Sequence, residues 1–293
     1  MSSLHVQGSY DHHASHIRCP VAAMRLGISS FTYTWAVGVP GHPPERPMDV
    51  PGLIDRAQSL GVHVLQIADN LPLHRLSPAQ LDGLERLAAE LKLALEVGTR
   101  GIAPPHLRTY LSLARQLKSP ILRVVIDTTD HRPGEDEIVA LLREVVPEFE
   151  QAGVCLAIEN HDRFKARALA RVIARVASDC VGICLDTANS LGAQEGPEAV
   201  LDALGPLVVN LHVKDIAIFR ASHQMGFRVE GRPAGQGQLN VPWLLQVLRD
   251  LGRDVNAIVE LWTPPEETLT ATIAKESAWA DASVAYLRTL IPD

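Results

Sequence analysis

VCLAIEN (residues 154–160), VGICLDTAN (181–189), VVNLHVKD (208–215) and NAIVELW (256–262) decide how this chain folds. Each is a short apolar run that ends at or near a polar side chain: Glu159, Asp186, His212 and Glu260. Runs this short and this rich in Val, Ile and Leu read as strands buried on both faces. In a parallel α/β barrel the C-terminal strand ends converge on one mouth, where active sites lie.

Four upstream runs, 24–30, 62–69, 93–98 and 121–127, complete a set of eight. Amphipathic helical stretches occupy 78–91, 135–152, 241–251 and 266–290. Ser77 is the expected N-cap of the first, with Pro78 in its opening turn. Gly153 and Gly252 end the second and third, and Pro147 is expected to kink or split the second. Strand and helix alternate without a central break, which predicts an α/β protein with a single (β/α)8 TIM barrel over residues 24–293. The length of 293 residues suits a fold of about 250. The segment 216–240, rich in Gly, Arg and Gln, reads as a long loop covering the mouth.

Residues 1–23 are polar and His-rich, with His12, His13 and His16 close together and no apolar core of a secretory signal. They read as a disordered or loosely ordered extension, with Met24 as a natural start. The net charge of −7 gives no support for a nucleic-acid partner. No apolar run of about 18 residues is present to span a membrane. Cys155, Cys180 and Cys184 fall in strands expected to be buried, so the thiols read as reduced and the protein as cytoplasmic. Homo-oligomerisation is left open.

Strand parity tests the four polar residues. Glu159 shares a face with Cys155 and Ala157, Asp186 with Gly182 and Cys184, His212 with Asn210 and Lys214, and Glu260 with Ile258 and Trp262. One orientation therefore turns all four inward. Taken singly, a carboxylate at a strand end is more often a loop cap, and a buried histidine more often a core hydrogen-bonder. Together, three carboxylates at one mouth would repel strongly without a cation. The expected cofactor is one divalent metal ion held by Glu159, Asp186, His212 and Glu260, with manganese placed first and magnesium, cobalt or zinc as alternatives.

The order IEN, CLDT, NLHVKD and VELW resembles the xylose-isomerase-like barrel superfamily, which includes ketose epimerases, inosose dehydratases, hydroxypyruvate isomerases and type-IV AP endonucleases. The resemblance covers nearly all of the chain after Met24. It implies that Glu159, Asp186, His212 and Glu260 ligate the metal, and that Glu159 and Glu260 also move protons. Two positions depart from the epimerases: Asn189 stands where they carry a histidine, and Lys165 where they carry a second glutamate. Both help to hold the substrate in those enzymes, so ordinary ketose epimerisation is in doubt. The three-metal cluster of the endonucleases lacks its extra histidines here.

The mouth is unusually cationic. Lys214 is expected beside the metal as a catalytic and substrate-binding residue, with His161, Asn189, Arg228, Arg232 and Trp35 as further substrate contacts; a solvated loop charge is the ordinary alternative for the arginines. The primary expectation is a sugar isomerase or epimerase acting on a small polyhydroxy ketone or keto sugar acid through a metal-stabilised enediolate. The alternative is a decarboxylase or β-eliminating lyase of a 3-oxo sugar acid. ENHDRF, CLDTANS, NLHVKD and MGFRVEGRPAGQG resemble the 3-oxo-isoapionate decarboxylase branch. A non-catalytic sugar-binding barrel is the third reading.

Overall fold

The computed structural model describes residues 23–292. Its strands are β1 (Leu26–Ser29), β2 (Val64–Ile67), β3 (Ala94–Arg100), β4 (Ile121–Val125), β5 (Cys155–Glu159), β6 (Val181–Asp186), β7 (Val208–Val213), β8 (Asp215–Arg220), β9 (Phe227–Arg232) and β10 (Ala257–Val259). Eight of them close into a barrel in the order β1, β10, β7, β6, β5, β4, β3, β2. Every neighbouring pair is parallel. The helices are α1 (Thr34–Val37), α2 (Val50–Leu60), α3 (Pro78–Glu90), α4 (Pro104–Gln116), α5 (Glu135–Ala152), α6 (Ala166–Val176), α7 (Pro197–Leu204), α8 (Val241–Asp250) and α9 (Leu269–Arg288). The expected α/β barrel is present. The expectations for residues 1–22 lie outside the described residues.

The main core lies between sheet and helices, and includes Val124, Ile158, Ile183, Leu211 and Val259 from the strands. A second, small apolar cluster joins Ile121, Cys155, Ala157, Cys184 and Val209. Crowding there is tight: a Cβ on Gly182 would sit 2.5 Å from Val209 Cγ1, so glycine lets the neighbouring strand approach.

Helix signals held at Ser77, whose side chain accepts from Gln80 N in a reciprocal capping box, and at Gly153, which takes a left-handed conformation after α5. Of the kink or split expected at Pro147, the split does not occur: α5 runs through it as one element. Arg143 and Pro147 are both exposed, so water can take the carbonyl that loses its donor. The segment after β7 is not a plain loop, because β8 and β9 pair there as an antiparallel hairpin from Asp215↔Arg232 to Arg220↔Phe227.

Asp215 ties that hairpin down. Its Oδ1 accepts from Ile216 N at 2.8 Å and Leu239 N at 3.0 Å, and its Oδ2 from Gly235 N and Gly237 N, each at 2.9 Å. A Cβ on Gly237 would collide with the Asp215 carboxylate. Among the described residues no helix is long and apolar enough to cross a membrane.

Candidate metal centre and active site

Parallel strands and a two-residue side-chain period bring the four sequence-selected residues to one place. Glu159 and Asp186 end β5 and β6, His212 is the fifth residue of β7, and Glu260 follows β10 directly. None is more than 2% exposed. His212 Nδ1 lies 3.4 Å from Glu159 Oε2 and 3.4 Å from Glu260 Oε1. Asp186, His212 and Glu260 offer ligand atoms within 4.8 Å of one another, and so do Glu159, Cys184 and His212.

The imidazole is oriented from below. Gln66 Oε1 lies 2.8 Å from His212 Nε2. The Gln66 amide nitrogen in turn lies 3.1 Å from Glu96 Oε2 and 3.0 Å from Asn210 Oδ1, both acceptors. That fixes the amide's orientation and makes Nε2 the donor toward Gln66. Among the described residues Nδ1 has no hydrogen-bond partner, although it is fully buried. An orphaned ring nitrogen facing two carboxylates is a donor set that suits a divalent cation. Glu96 itself accepts from Gln66, from Asn210 at 3.0 Å and from Asn256 at 2.7 Å. Burial pushes its carboxyl up, against the pull of these amides.

The carboxylates are not left to repel one another. Lys214 Nζ bonds Asp186 Oδ2 at 2.6 Å and lies 3.1 Å from Glu260 Oε2. Burial alone would push its ammonium down, but Asp186, Glu260 and Glu159 push it up. Burial would likewise raise Glu260, yet the neighbouring positive charge holds it below the usual carboxylate range. Asp186 Oδ1 accepts from Ala188 N and Asn189 N at 2.8 and 2.9 Å. Glu159 accepts from Asn189 Nδ2 at 2.9 Å and from Arg123 Nε. Ser29 Oγ donates to Glu260 Oε1 at 3.1 Å.

Arg123 escaped the sequence reading. It stands mid-strand in ILRVV, 2% exposed, and pairs with both Glu159 and Asp69. A polar side chain inside an apolar run, on the parity that faces inward, was the available signal. Gln66 in VLQI and Glu96 in ALEVGTR carried the same one.

Above the quartet the mouth has two lobes. One, of about 410 Å³, is lined by Arg100, Arg123, Glu159, His161, Asn189 and Lys214 among others. The second, of about 390 Å³, is walled by Trp35, Val39 and Thr263. The lobes share Phe31, Lys214, Glu260 and Trp262. A larger cavity of about 450 Å³ touches α2 and α3, but its lining is chiefly apolar and includes no quartet residue. The expected contacts His161, Asn189, Lys214 and Trp35 therefore line the mouth. Arg228 and Arg232 do not line either lobe. They pair with Glu230 at 2.7 and 3.3 Å and lie over the Phe219 ring. Hairpin pairing sets them against Glu230 and Phe219 of their own sheet.

A family profile described as xylose isomerase-like TIM barrel matches residues 54–290. The chain belongs to that family. It is 36% identical over 271 residues to a 3-oxo-isoapionate decarboxylase of Pectobacterium atrosepticum, across 92% of this chain and 97% of the relative. Its fold is similar to D-psicose 3-epimerase of Clostridium cellulolyticum H10, with a TM-score of 0.68 at 18% identity, covering 91% of this chain and 99% of the other. It is also similar to the IOLI protein solved with a bound zinc atom, with a TM-score of 0.66 at 18% identity over 92% and 100% of the two chains.

Proposed function

We propose that this chain is a divalent-metal-dependent carboxy-lyase that releases carbon dioxide from a small 3-oxo sugar acid. The observation that carries the reading is the company of the quartet: Arg123, Arg100 and Lys214 line the same cavity as Glu159 and Glu260. A neutral ketose needs no such cations. The extended similarity to a 3-oxo-isoapionate decarboxylase supports the same reaction.

Glu159, Asp186, His212 and Glu260 would hold the ion, and zinc in the IOLI relative supports a divalent metal without choosing among manganese, magnesium, cobalt and zinc. A bound cation would supply Lewis-acid polarisation of the substrate's 3-oxo group. The chain's own groups do the rest. The carboxylate-to-carbon bond breaks, its electron pair passes toward the polarised carbonyl, and carbon dioxide leaves. Lys214 Nζ, kept charged by Asp186 and Glu260, supplies the proton that takes its place. Phe31 and Trp262 wall both lobes of the mouth in which the substrate would lie. The buried, reduced thiol of Cys184 suits a cytoplasmic setting.

A second reading, isomerisation or epimerisation, is favoured by one observation: Glu159 and Glu260 both approach His212 Nδ1, as two proton carriers flanking a substrate would. The test is to incubate the metal-loaded protein with 3-oxo sugar acids and with ketoses. Carbon dioxide release from the acids is expected. Solvent deuterium uptake into ketoses with no carbon dioxide from any acid would overturn the decarboxylase in favour of the second reading. Retained turnover after exhaustive chelation would overturn both.

A further inference from the structure

Asp69 follows β2 and is shared by two arginines. Arg123 Nη1 bonds its Oδ1 at 2.9 Å, and Arg100 Nε bonds its Oδ2 at 3.0 Å. The two positive charges hold the Asp69 carboxyl below its ordinary value despite burial, so it stays an anion between them. Each guanidinium is otherwise fixed as well: Arg123 Nε on Glu159, and Arg100 Nη1 on Asp127 O at 3.1 Å. Arg123 also lies over the Phe31 ring, 5.6 Å from its centroid. What remains is the Nη2 amino group of each arginine, which makes no bond among the described residues, on two residues that line one lobe.

The charges at the mouth give this arrangement a purpose. Glu159, Asp186 and Glu260 face Arg123 and Lys214, which leaves one net negative charge among these five side chains; Asp69 and Arg100 cancel. A divalent cation would reverse the sign to one net positive. A single carboxylate on the substrate would restore neutrality. In the Arg100–Arg123 lobe such a carboxylate meets the two remaining guanidinium amino groups, whereas Lys214 is already committed to Asp186 and Glu260. The opposite lobe, with Trp35, Trp262 and Val39, offers apolar walls that suit a neutral carbon chain.

We propose that Arg100 and Arg123, bridged by Asp69, form the specificity-determining subsite for the substrate's carboxylate, and that Trp35 and Trp262 receive its uncharged end. The assignment rests on the acid-bearing substrate class argued above, and it fixes which way round the substrate lies. Arg123 also grips Glu159, so Arg100 is the residue that isolates the subsite. Its side chain is 36% exposed, so its replacement need not disturb the barrel.

The test uses the full chain loaded with manganese and two probes, threonate and its uncharged counterpart erythritol, titrated calorimetrically. Wild type is expected to bind threonate more tightly. Arg100→Gln should lose about tenfold in threonate affinity, the scale of a charge-assisted hydrogen bond, with erythritol and manganese affinities unchanged. Arg100→Lys, which keeps the charge but not the fork, should recover part of the loss. Equal threonate affinity in wild type and Arg100→Gln overturns the subsite, as does an equal loss for both probes. If acid preference depends on Arg100 while no 3-oxo acid yields carbon dioxide, the subsite stands and only the reaction assigned above falls.

Discussion

At the scale of single residues, His212 is the pivot of the candidate metal centre, and Gln66 decides which of its nitrogens is free. Gln66→Leu removes the acceptor for Nε2 and releases both the ring's tautomer and its orientation. Metal affinity is expected to fall by about 10- to 100-fold, as for other residues that orient a ligand from behind, and a metal titration measures it. Unchanged affinity would show that the ring needs no partner. Glu260→Gln removes a charge that faces Lys214 and His212. Turnover should drop by about 100-fold or more, while a sugar-binding barrel without chemistry would keep its ligand affinity. Glu159, Asp186, His212 and Glu260 stood out in the sequence because each lies at or next to the end of an apolar run. Arg123, Gln66 and Glu96 were not picked out, because a polar residue inside such a run shows its partner only when a distant strand is brought beside it. Gln66 meets Asn210 across 144 positions of chain.

Among the elements, the hairpin and the first loop show where pattern reading stopped short. The β8–β9 pair hides its alternation among Arg and Gly, and its register needs Asp215, which gathers four backbone N–H groups from Ile216, Gly235, Gly237 and Leu239. Asp215→Ala would leave them short of acceptors and should cost about 2 kcal/mol or more in urea unfolding. Asp215→Asn, which keeps one acceptor oxygen, should cost less. The loop after β1 is held by Glu276 of α9, whose Oε1 and Oε2 accept from Trp35 N at 2.9 Å and Ala36 N at 3.0 Å. Burial pushes this carboxyl up to about 7, with the two N–H groups pulling the other way. A carboxyl raised in the folded state favours folding below its unfolded value of 4.5 and withdraws that support as pH climbs through about 7. The span corresponds to roughly 3 kcal/mol. Thermal melts of wild type should therefore lose stability between these limits, and Glu276→Gln should flatten the slope. Parallel slopes would remove Glu276 from the account.

For the whole molecule, a barrel with three buried carboxylates at its mouth should be stabilised by the ion it is proposed to hold. At a free concentration of 100 times Kd the gain is about 2.7 kcal/mol. For a chain of this size that should raise Tm by several degrees, and chelation should reverse the shift. No change with manganese, magnesium, cobalt or zinc would remove the metal from the proposal. The barrel itself was the most legible feature. Eight alternations of strand and helix leave few other topologies, and the parallel order round the barrel follows from right-handed crossovers. Where the substrate lies was not legible, since Asp69, Arg100 and Arg123 belong to β2, β3 and β4 and their neighbours and meet only when those three strands pair side by side.

The polar stack of Glu96, Gln66, Asn210 and Asn256 beneath His212 occupies space that barrels of this kind usually fill with branched hydrocarbon. Replacing those amides and that acid with well-packed Leu or Val could yield a hardier protein. It would also unfasten the imidazole, so heat resistance and turnover should pull in opposite directions in any programme that selects for one of them alone.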